Sequence, residues 1–231
     1  MTPKDRLIVA LDLPDATRAR DMVDRLAGKV GMLKVGSQIF TAAGPDFVRE
    51  IIARGEKVFL DLKYHDIPHA VAGAVSSASQ LGVSLMTVHA LGGAEMLQAA
   101  VGALPAMGVR LLAVTILTSH AEDGLGAVGL TGGLADSVRR LALLAREAGA
   151  DGVIASPQEV ALVREACGPD FLIVTPGIRP AGSARGDQAR AATPAAARAA
   201  GADYLVVGRP VLEAADPAAA AAAIVREIAA S

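Results

Sequence analysis

The stretch Phe59-Leu60-Asp61-Leu62-Lys63-Tyr64-His65-Asp66-Ile67-Pro68 begins as an apolar strand and ends in a group of charged residues. Side chains two apart on a strand point to the same face, so we expect Asp61 and Lys63 to share one face and the alternate leucines to share the other. Asp66 follows three residues after Lys63, just past the expected strand end. Because buried charges are costly unless they are paired, this acid–base–acid group indicates proton chemistry rather than core packing.

Short apolar strands like this one alternate with helical segments along the chain. Helical spacing is clearest in Ala70–Gly82 and Ser137–Gly149, and a glycine that follows a helical segment and precedes a strand is typical of the αβ loops of parallel α/β proteins. Five glycines occupy such joins: Gly28, Gly55, Gly108, Gly149 and Gly201. The expected strands are Leu7–Leu13, Met32–Ser37, Val58–Lys63, Ser84–His89, Leu111–Leu117, Gly152–Ala155, Leu172–Pro176 and Tyr204–Gly208.

Eight strand–helix units in 231 residues give about 29 residues per unit, which suits an α/β (β/α)8 TIM barrel. The rival is a doubly wound sheet, which usually carries a glycine-rich turn after its first strand. That place reads Leu11-Asp12-Leu13-Pro14-Asp15 and contains no glycine. The sequence therefore predicts one barrel domain over residues 1–231, with the alanine-rich stretch Ala214–Ala223 forming a final outer helix.

Composition excludes several classes of function. The net charge of −2 gives no basic surface for nucleic acid, and no apolar run reaches the ~18 residues that span a membrane. The single cysteine, Cys167, rules out an intrachain disulfide, and we expect it to lie inert in a helix. The charged N-terminus shows no signal peptide, so a cytoplasmic protein is expected.

Charged residues also end the two strands before the Asp61 strand. The first expected strand runs to Asp12 and the second carries Lys34, so the signs alternate through Asp61, Lys63 and Asp66. In a barrel these residues meet at one mouth, where each charge can hold its neighbour ionised. Structural salt bridges are one alternative, and a Mg²⁺ site on the carboxylates is another that the two lysines disfavour. The four histidines are not spaced as a metal cluster.

Glycine–arginine motifs follow the seventh and eighth strands, where many barrels bind a phosphate. The first motif is Thr175-Pro176-Gly177-Ile178-Arg179 and the second is Val207-Gly208-Arg209-Pro210. Long polar loops, 118–136 and 179–193, follow the fifth and seventh strands, and loops of this length are often lids or binding loops. Gln188 in the second loop could read a polar ring edge, while Thr118 could bind substrate or cap the next turn.

Taken together, these stretches resemble the orotidine 5′-phosphate decarboxylase family. The signature is Asp61-Leu62-Lys63-Tyr64-His65-Asp66-Ile67-Pro68. The similarity extends in order over essentially the whole chain, through Ala10-Leu11-Asp12, Leu33-Lys34-Val35-Gly36, Thr175-Pro176-Gly177-Ile178-Arg179-Pro180, Gly186-Asp187-Gln188 and Val207-Gly208-Arg209-Pro210.

The resemblance implies decarboxylation of orotidine 5′-monophosphate to uridine 5′-monophosphate (UMP), without a metal or an organic cofactor. It implies that Lys63 protonates C6 of the pyrimidine and that Asp61 lies near the departing carboxylate. It also implies a homodimer in which Asp66 enters the partner's site, and closure of the 179–193 loop as a lid. The implied substrate contacts are Lys34 and Asp12 on the sugar, Thr118 and Gln188 on the pyrimidine, and Arg179, Gln188, Gly208 and Arg209 on the phosphate.

One position departs from the family pattern, which continues Pro-Asn-Thr after the signature. Here the chain reads Pro68-His69-Ala70, so the threonine contact with a ribose hydroxyl is lost and a modest loss of binding is expected. Two other functions stay open: a Mg²⁺-dependent decarboxylase or aldolase of sugar phosphates, which shares the Asp61, Lys63 and Asp66 spacing, and a non-catalytic sensor of phosphorylated ligands.

Overall fold

A computed structural model describes residues 1–106, 108–120, 124–180 and 191–230. Eight parallel strands close into a barrel in the order β1 to β8, which confirms the predicted (β/α)8 fold. The strands are β1 Leu7–Ala10, β2 Met32–Gly36, β3 Val58–Tyr64, β4 Leu85–His89, β5 Arg110–Val114, β6 Gly152–Ile154, β7 Leu172–Thr175 and β8 Tyr204–Val207. The extent of the domain, 1–231, remains a prediction.

Helices follow the strands and form the outer layer. Within the described ranges they are α1 Ala16–Leu26, α2 Ser37–Ala53, α3 Pro68–Ser79, α4 Gly93–Gly102, α5 Leu134–Glu147, α6 Val160–Cys167, α7 Pro194–Ala199, α8 Arg209–Leu212 and α9 Pro217–Ala229. None of these helices is both long and apolar enough to cross a membrane. Helix α2 breaks at Gly44, whose φ is 68°, immediately before Pro45.

The strands bury both of their faces, as the near-continuous apolar strand sequences require. The inward face fills the barrel with ten buried side chains: Ile8, Ala10, Met32, Phe59, Leu85, Leu112, Leu172, Val174, Tyr204 and Val206. The outward face packs against the helices in a second, larger cluster, to which Leu60 and Leu62 contribute. The alternation expected around Asp61 is therefore present, because Phe59 lies inward and the leucines lie outward.

Several boundaries differ from the sequence-based expectations. Strand β1 ends at Ala10, so Asp12 lies in the loop that follows rather than on the strand. Strand β5 ends at Val114, three residues before the expected Leu117, and Thr118 lies in the following loop as predicted. Helix α3 begins at Pro68, because proline has no N–H to lose at a first helical position. The alanine-rich helix α9 begins at Pro217, where the Asp216 carboxylate accepts from the backbone N–H groups of Ala218 and Ala219.

The glycine joins behave as the sequence predicted. All five have a positive φ, from 67° at Gly28 to 106° at Gly108 and Gly201, which side chains other than glycine rarely adopt. Gly149 illustrates the role. It follows the C-cap residue Ala148 of helix α5, and its φ of 91° lets the chain leave the helix and turn back towards β6.

Candidate active site

Four charged side chains meet where β1, β2 and β3 end. Lys34 Nζ lies 3.2 Å from Asp12 Oδ1 and 3.4 Å from Asp61 Oδ2. Lys63 Nζ donates to the same Asp61 oxygen at 2.8 Å. The structure therefore brings together four of the five charges that the sequence placed at one mouth, in the alternating order Asp12, Lys34, Asp61, Lys63.

Asp61 is the buried centre of this network. Burial alone would raise the pKa of its carboxyl, but the ammonium groups of Lys34 and Lys63 and hydrogen bonds from Lys63 and Thr87 hold the pKa below its ordinary value. Asp61 is therefore an anion at neutral pH. The side chain of Asp12 is 52% exposed, which leaves the outer end of the network open to solvent and to a ligand.

The charged groups line a cavity of about 220 Å³ at the mouth. Its charged wall is formed by Asp12, Lys34, Asp61 and Lys63, and its apolar wall comes from the inward faces of the strands and the loops after β5 and β7. Thr118 and Gly208 also line it. A cavity that has a few converging charged groups on an otherwise apolar lining is typical of a small-molecule site.

Gly36 lets Lys34 reach both carboxylates. A Cβ atom on Gly36 would lie 3.0 Å from Lys34 Nζ and 3.2 Å from Asp12 Oδ1. Such contacts are tighter than most Cβ contacts in proteins, so a side chain here would displace the lysine ammonium and the aspartate carboxylate by a few tenths of an ångström. The Leu33-Lys34-Val35-Gly36 motif thus couples a buried lysine to the small residue that the ion pair needs.

Lys63 has an unusual backbone conformation. Its φ is 51°, and it is the single non-glycine residue with a positive φ in the described part of the chain. Pairing between β3 and β4 jumps from Leu60–Met86 to Tyr64–Val88, so residues 61–63 lie opposite Thr87 alone. This bulge turns Lys63 towards Asp61, at the ~1–2 kcal/mol that a left-handed residue costs.

The arginine motifs end β7 and β8 beside this mouth. The Arg179 guanidinium donates to the Ile178 carbonyl at 2.9 Å, and the Arg179 backbone N–H donates to Ala192 O at 2.9 Å. Arg209 opens helix α8 directly after Gly208, and with Asp12 it lines a neighbouring surface cavity of about 510 Å³. Gln188 lies outside the described residues, as does the 181–190 part of the proposed lid.

Asp66 does not join the network of its own chain. Its side chain is exposed, its Oδ1 atom accepts from the adjacent backbone N–H of Ile67 at 2.7 Å, and it forms no ion pair within the described ranges. Ile67 beside it is 67% exposed, and Val128, after β5, is 57% exposed. An exposed carboxylate beside the exposed apolar side chain of Ile67 is suited to a contact with another molecule.

Two histidines stack beside the network. The rings of His65 and His89 lie 5.2 Å apart between centroids, with 22° between their planes. Burial, together with the nearby His65, Lys63 and His120, lowers the pKa of His89 to about 4, so its imidazole is neutral at physiological pH. Its Nδ1 atom accepts from the Leu91 backbone N–H at 3.4 Å.

Sequence reasoning missed Thr87, which contacts both Asp61 and the backbone of Lys63. The available signal was a lone hydroxyl inside the apolar strand Leu85–His89, on the strand next to the signature. In the described ranges, no group of three or more histidine, cysteine, aspartate and glutamate side chains could hold a metal ion.

Comparisons with known proteins agree on one family. Residues 5–224 match the family model described as orotidine 5′-phosphate decarboxylase / HUMPS family. The chain is 54% identical to the orotidine 5′-phosphate decarboxylase of Moorella thermoacetica, over 99% of this chain and 94% of that protein. It is 56% identical to the enzyme of the same name from Halorhodospira halophila, over 98% and 97% of the two chains.

Solved structures give the same result. The crystal structure of orotidine 5′-phosphate decarboxylase from Lactobacillus acidophilus superposes with a TM-score of 0.86 at 41% identity, and covers 96% of this chain and 98% of that one. An uncharacterised conserved protein from Geobacillus kaustophilus superposes with a TM-score of 0.85 at 37% identity.

Proposed function

The chain belongs to the orotidine 5′-phosphate decarboxylase family, and from that premise we propose the role of each residue at the mouth of its barrel. The activity is the decarboxylation of orotidine 5′-monophosphate to UMP, the last step of pyrimidine biosynthesis. We propose that Lys63 is the proton donor, that Asp61 and Lys34 order it, and that Asp12 contacts the sugar. A cytoplasmic location remains a prediction.

In the proposed reaction the bond between C6 and the carboxylate breaks, carbon dioxide leaves, and the electron pair stays on C6. An N–H bond of the Lys63 ammonium then breaks as a C6–H bond forms, and the neutral amine regains a proton from water. The carbanion is hard to form because the ring delocalises it poorly. An ammonium fixed beside C6 stabilises the negative charge as it develops.

The observation that carries this proposal is the pair of lysines on one buried carboxylate oxygen. Lys63 Nζ and Lys34 Nζ lie 2.8 and 3.4 Å from Asp61 Oδ2, beside an apolar cavity. A carboxylate that is anionic when the site is empty will face the substrate carboxylate, while the ammonium of Lys63 faces the carbon that gains charge. Preorganised charges of this kind favour the transition state over the bound substrate.

We propose that the phosphate binds between Gly208, Arg209 and Arg179, with Gln188 from the intervening loop, and that Thr118 and Gln188 hold the pyrimidine. Guanidinium groups and the first N–H groups of a helix are suited to a dianion. Binding energy from the phosphate can then be used to close the 179–193 loop over the reacting ring.

We further propose a homodimer in which Asp66 of each subunit completes the other subunit's site. Its exposure beside Ile67, and its lack of an ion pair in the described chain, support a role outside its own subunit. Ala70 removes a hydrogen bond to the ribose across the same interface, and we expect the loss to be small because His69 or water can replace it.

The decisive experiment is Lys63→Ala, assayed by the loss of ultraviolet absorbance from orotidine 5′-monophosphate, with and without EDTA. We expect kcat to fall about 10⁴-fold or more, and the affinity for UMP to change less than about tenfold. Turnover near that of the wild type would overturn the role of Lys63. Inhibition by EDTA would favour the Mg²⁺-dependent alternative, and binding without turnover by the wild type would favour the sensor.

A mixing experiment tests the dimer. Lys63→Ala and Asp66→Ala are each expected to be inactive, but a hybrid dimer contains one site with both residues intact. Refolding the two variants together at equal amounts should therefore recover up to about a quarter of wild-type activity. Recovery of none, with dimers present by light scattering, would mean that both residues act within one subunit.

A further inference from the structure

Thr87 occupies the position on β4 that faces the bulge of β3. It is fully buried and lies on the inward face, two residues after Leu85, which fills the barrel. Three residues of β3, 61–63, lie opposite this one residue of β4. Regular backbone pairing is interrupted there, so the polar groups of the bulge need another partner.

The Thr87 hydroxyl supplies that partner. Its Oγ1 atom accepts from the Lys63 backbone N–H at 2.9 Å and donates to Asp61 Oδ1 at 2.9 Å. The direction of both bonds is fixed, because a backbone N–H can only donate and an ionised carboxylate can only accept. One hydroxyl thus joins the strained backbone of Lys63 to the carboxylate that pairs with the Lys63 side chain.

The two oxygens of Asp61 have separate partners. Oδ2 takes the ammonium groups of Lys63 and Lys34, whereas Oδ1 takes Thr87. A carboxylate can rotate about its last bond, and a fixed donor on Oδ1 stops that rotation. Oδ2 then stays aimed at the two lysines, which is the orientation that places Lys63 Nζ.

We propose that Thr87 is a positioning residue, whose hydroxyl holds the Lys63 backbone and the Asp61 carboxylate in the arrangement that proton transfer needs. The proposal rests on the role of Lys63 proposed above. Thr87 is fully buried and does not line the cavity, so it acts through these two residues. It therefore governs the rate of the chemical step rather than the affinity for the nucleotide. Displacement of a catalytic group by about 1 Å can lower a rate about 100-fold.

The test compares Thr87→Val with Thr87→Ser. Valine keeps the shape and removes both hydrogen bonds, whereas serine keeps the hydroxyl. In Thr87→Val we expect kcat to fall about 10- to 100-fold, while the Kd for UMP stays within about threefold of the wild-type value. In Thr87→Ser we expect kcat to lie within about threefold of the wild-type value.

Thr115 provides a matched control. It is also fully buried, and its hydroxyl donates to the Ile154 carbonyl at 2.9 Å rather than to any of the four charged residues. Thr115→Val removes a buried hydroxyl near the same mouth, and we expect its kcat to stay within about twofold of wild type once the folded fraction is measured.

Three results would overturn the proposal: a Thr87→Val kcat within about threefold of wild type, an equal loss in Thr115→Val, or a serine variant as slow as the valine variant. If Thr87→Val does not fold, Thr87→Cys replaces it, because a thiol is a weaker donor of similar size, and about a tenfold loss of kcat is expected. Lys63→Ala reports separately on the proton donor, so failure of the Thr87 proposal leaves the proposed function standing.

Discussion

The two ends of the barrel each hold an ion pair of nearly equal length, but they use it differently. Below β7 and β8, Arg164 Nη2 lies 2.7 Å from Asp203 Oδ2, and at the mouth Lys63 Nζ lies 2.8 Å from Asp61 Oδ2. Arg164 also donates to four backbone carbonyls, those of Gly168, Pro169, Phe171 and Gly201. The Asp203 carboxylate accepts in addition from the backbone N–H of Ile173 at 2.9 Å.

The Arg164–Asp203 pair, which we call the lower pair, thus has several further hydrogen-bond partners within the protein. The Lys63–Asp61 pair at the mouth, the upper pair, leaves donors of the lysine unused in the part of the chain that the structure describes. Lys63 Nζ has a single protein acceptor in the described ranges, Asp61 Oδ2, and its side chain is 36% exposed at the cavity. An ammonium carries three donors, so two of them are left to meet the cavity that Lys63 lines. The length of an ion pair therefore does not distinguish structure from function, whereas the partners of the remaining donors do.

Among the variants that test this contrast between the two ends, Asp61→Asn at the mouth has the largest expected effect. Loss of the anion removes the group that orders both lysines, and we expect kcat to fall about 10³-fold, measured by the absorbance assay on folded protein. Asparagine keeps the size of the side chain. A kcat within tenfold of wild type would mean that the upper pair, like the lower one, is only structural.

The same substitution at the other end, Asp203→Asn, should affect folding instead. It leaves the Arg164 guanidinium without its anionic partner in a largely buried place, and we expect the free energy of unfolding to fall by about 3 kcal/mol. Urea denaturation measures the loss, and kcat per folded molecule should stay within about twofold. A large loss of kcat in folded Asp203→Asn would break the contrast between the two ends.

A smaller effect separates binding from chemistry within the mouth. In Arg209→Ala we expect KM for orotidine 5′-monophosphate to rise about 10- to 100-fold, because a hydrogen bond to a charged group contributes about 1.5–3 kcal/mol. The phosphate-free nucleoside orotidine is the control substrate, and its kcat/KM should not change. An equal loss for both substrates would remove Arg209 from the phosphate site.

The smallest of these effects is a pH dependence of folding at the mouth. The pKa of His89 is about 4 in the folded chain and 6.5 in its ordinary state, so unfolding takes up a proton between these values. His89 therefore contributes stability that is present above pH 6.5 and is lost as the pH falls towards 4.

Partial exposure of His89 screens this contribution. We therefore expect the free energy of unfolding that His89 loses between pH 7.5 and pH 5 to be about 1 kcal/mol. Urea denaturation at pH 7.5 and pH 5 should show a smaller difference in His89→Asn than in the wild type by that amount. Asp203→Asn serves as the comparison at the other end, where the wild-type difference should persist. Identical differences in the wild type and His89→Asn would contradict the assignment.

The sequence was sufficient to predict the barrel, because apolar strands alternate with helical segments at similar intervals along the chain, and glycines mark many of the joins from helix to strand. It also predicted that Asp12, Lys34, Asp61 and Lys63 would meet, since parallel strands in a barrel end at the same mouth. Local pattern could not reveal the bulge at Lys63, which depends on the register of β3 against β4. Thr87 was missed for the same reason, and the placement of Asp66 in a partner's site stays a prediction.

The left-handed backbone at Lys63 sets stability and catalysis against each other at one position. Glycine adopts this φ without strain, so Lys63→Gly should melt at a higher temperature than Lys63→Ala, by a margin of about 1 kcal/mol in unfolding free energy. Only lysine, however, brings an ammonium to Asp61. Selection for activity therefore keeps at this position a residue that the backbone conformation disfavours.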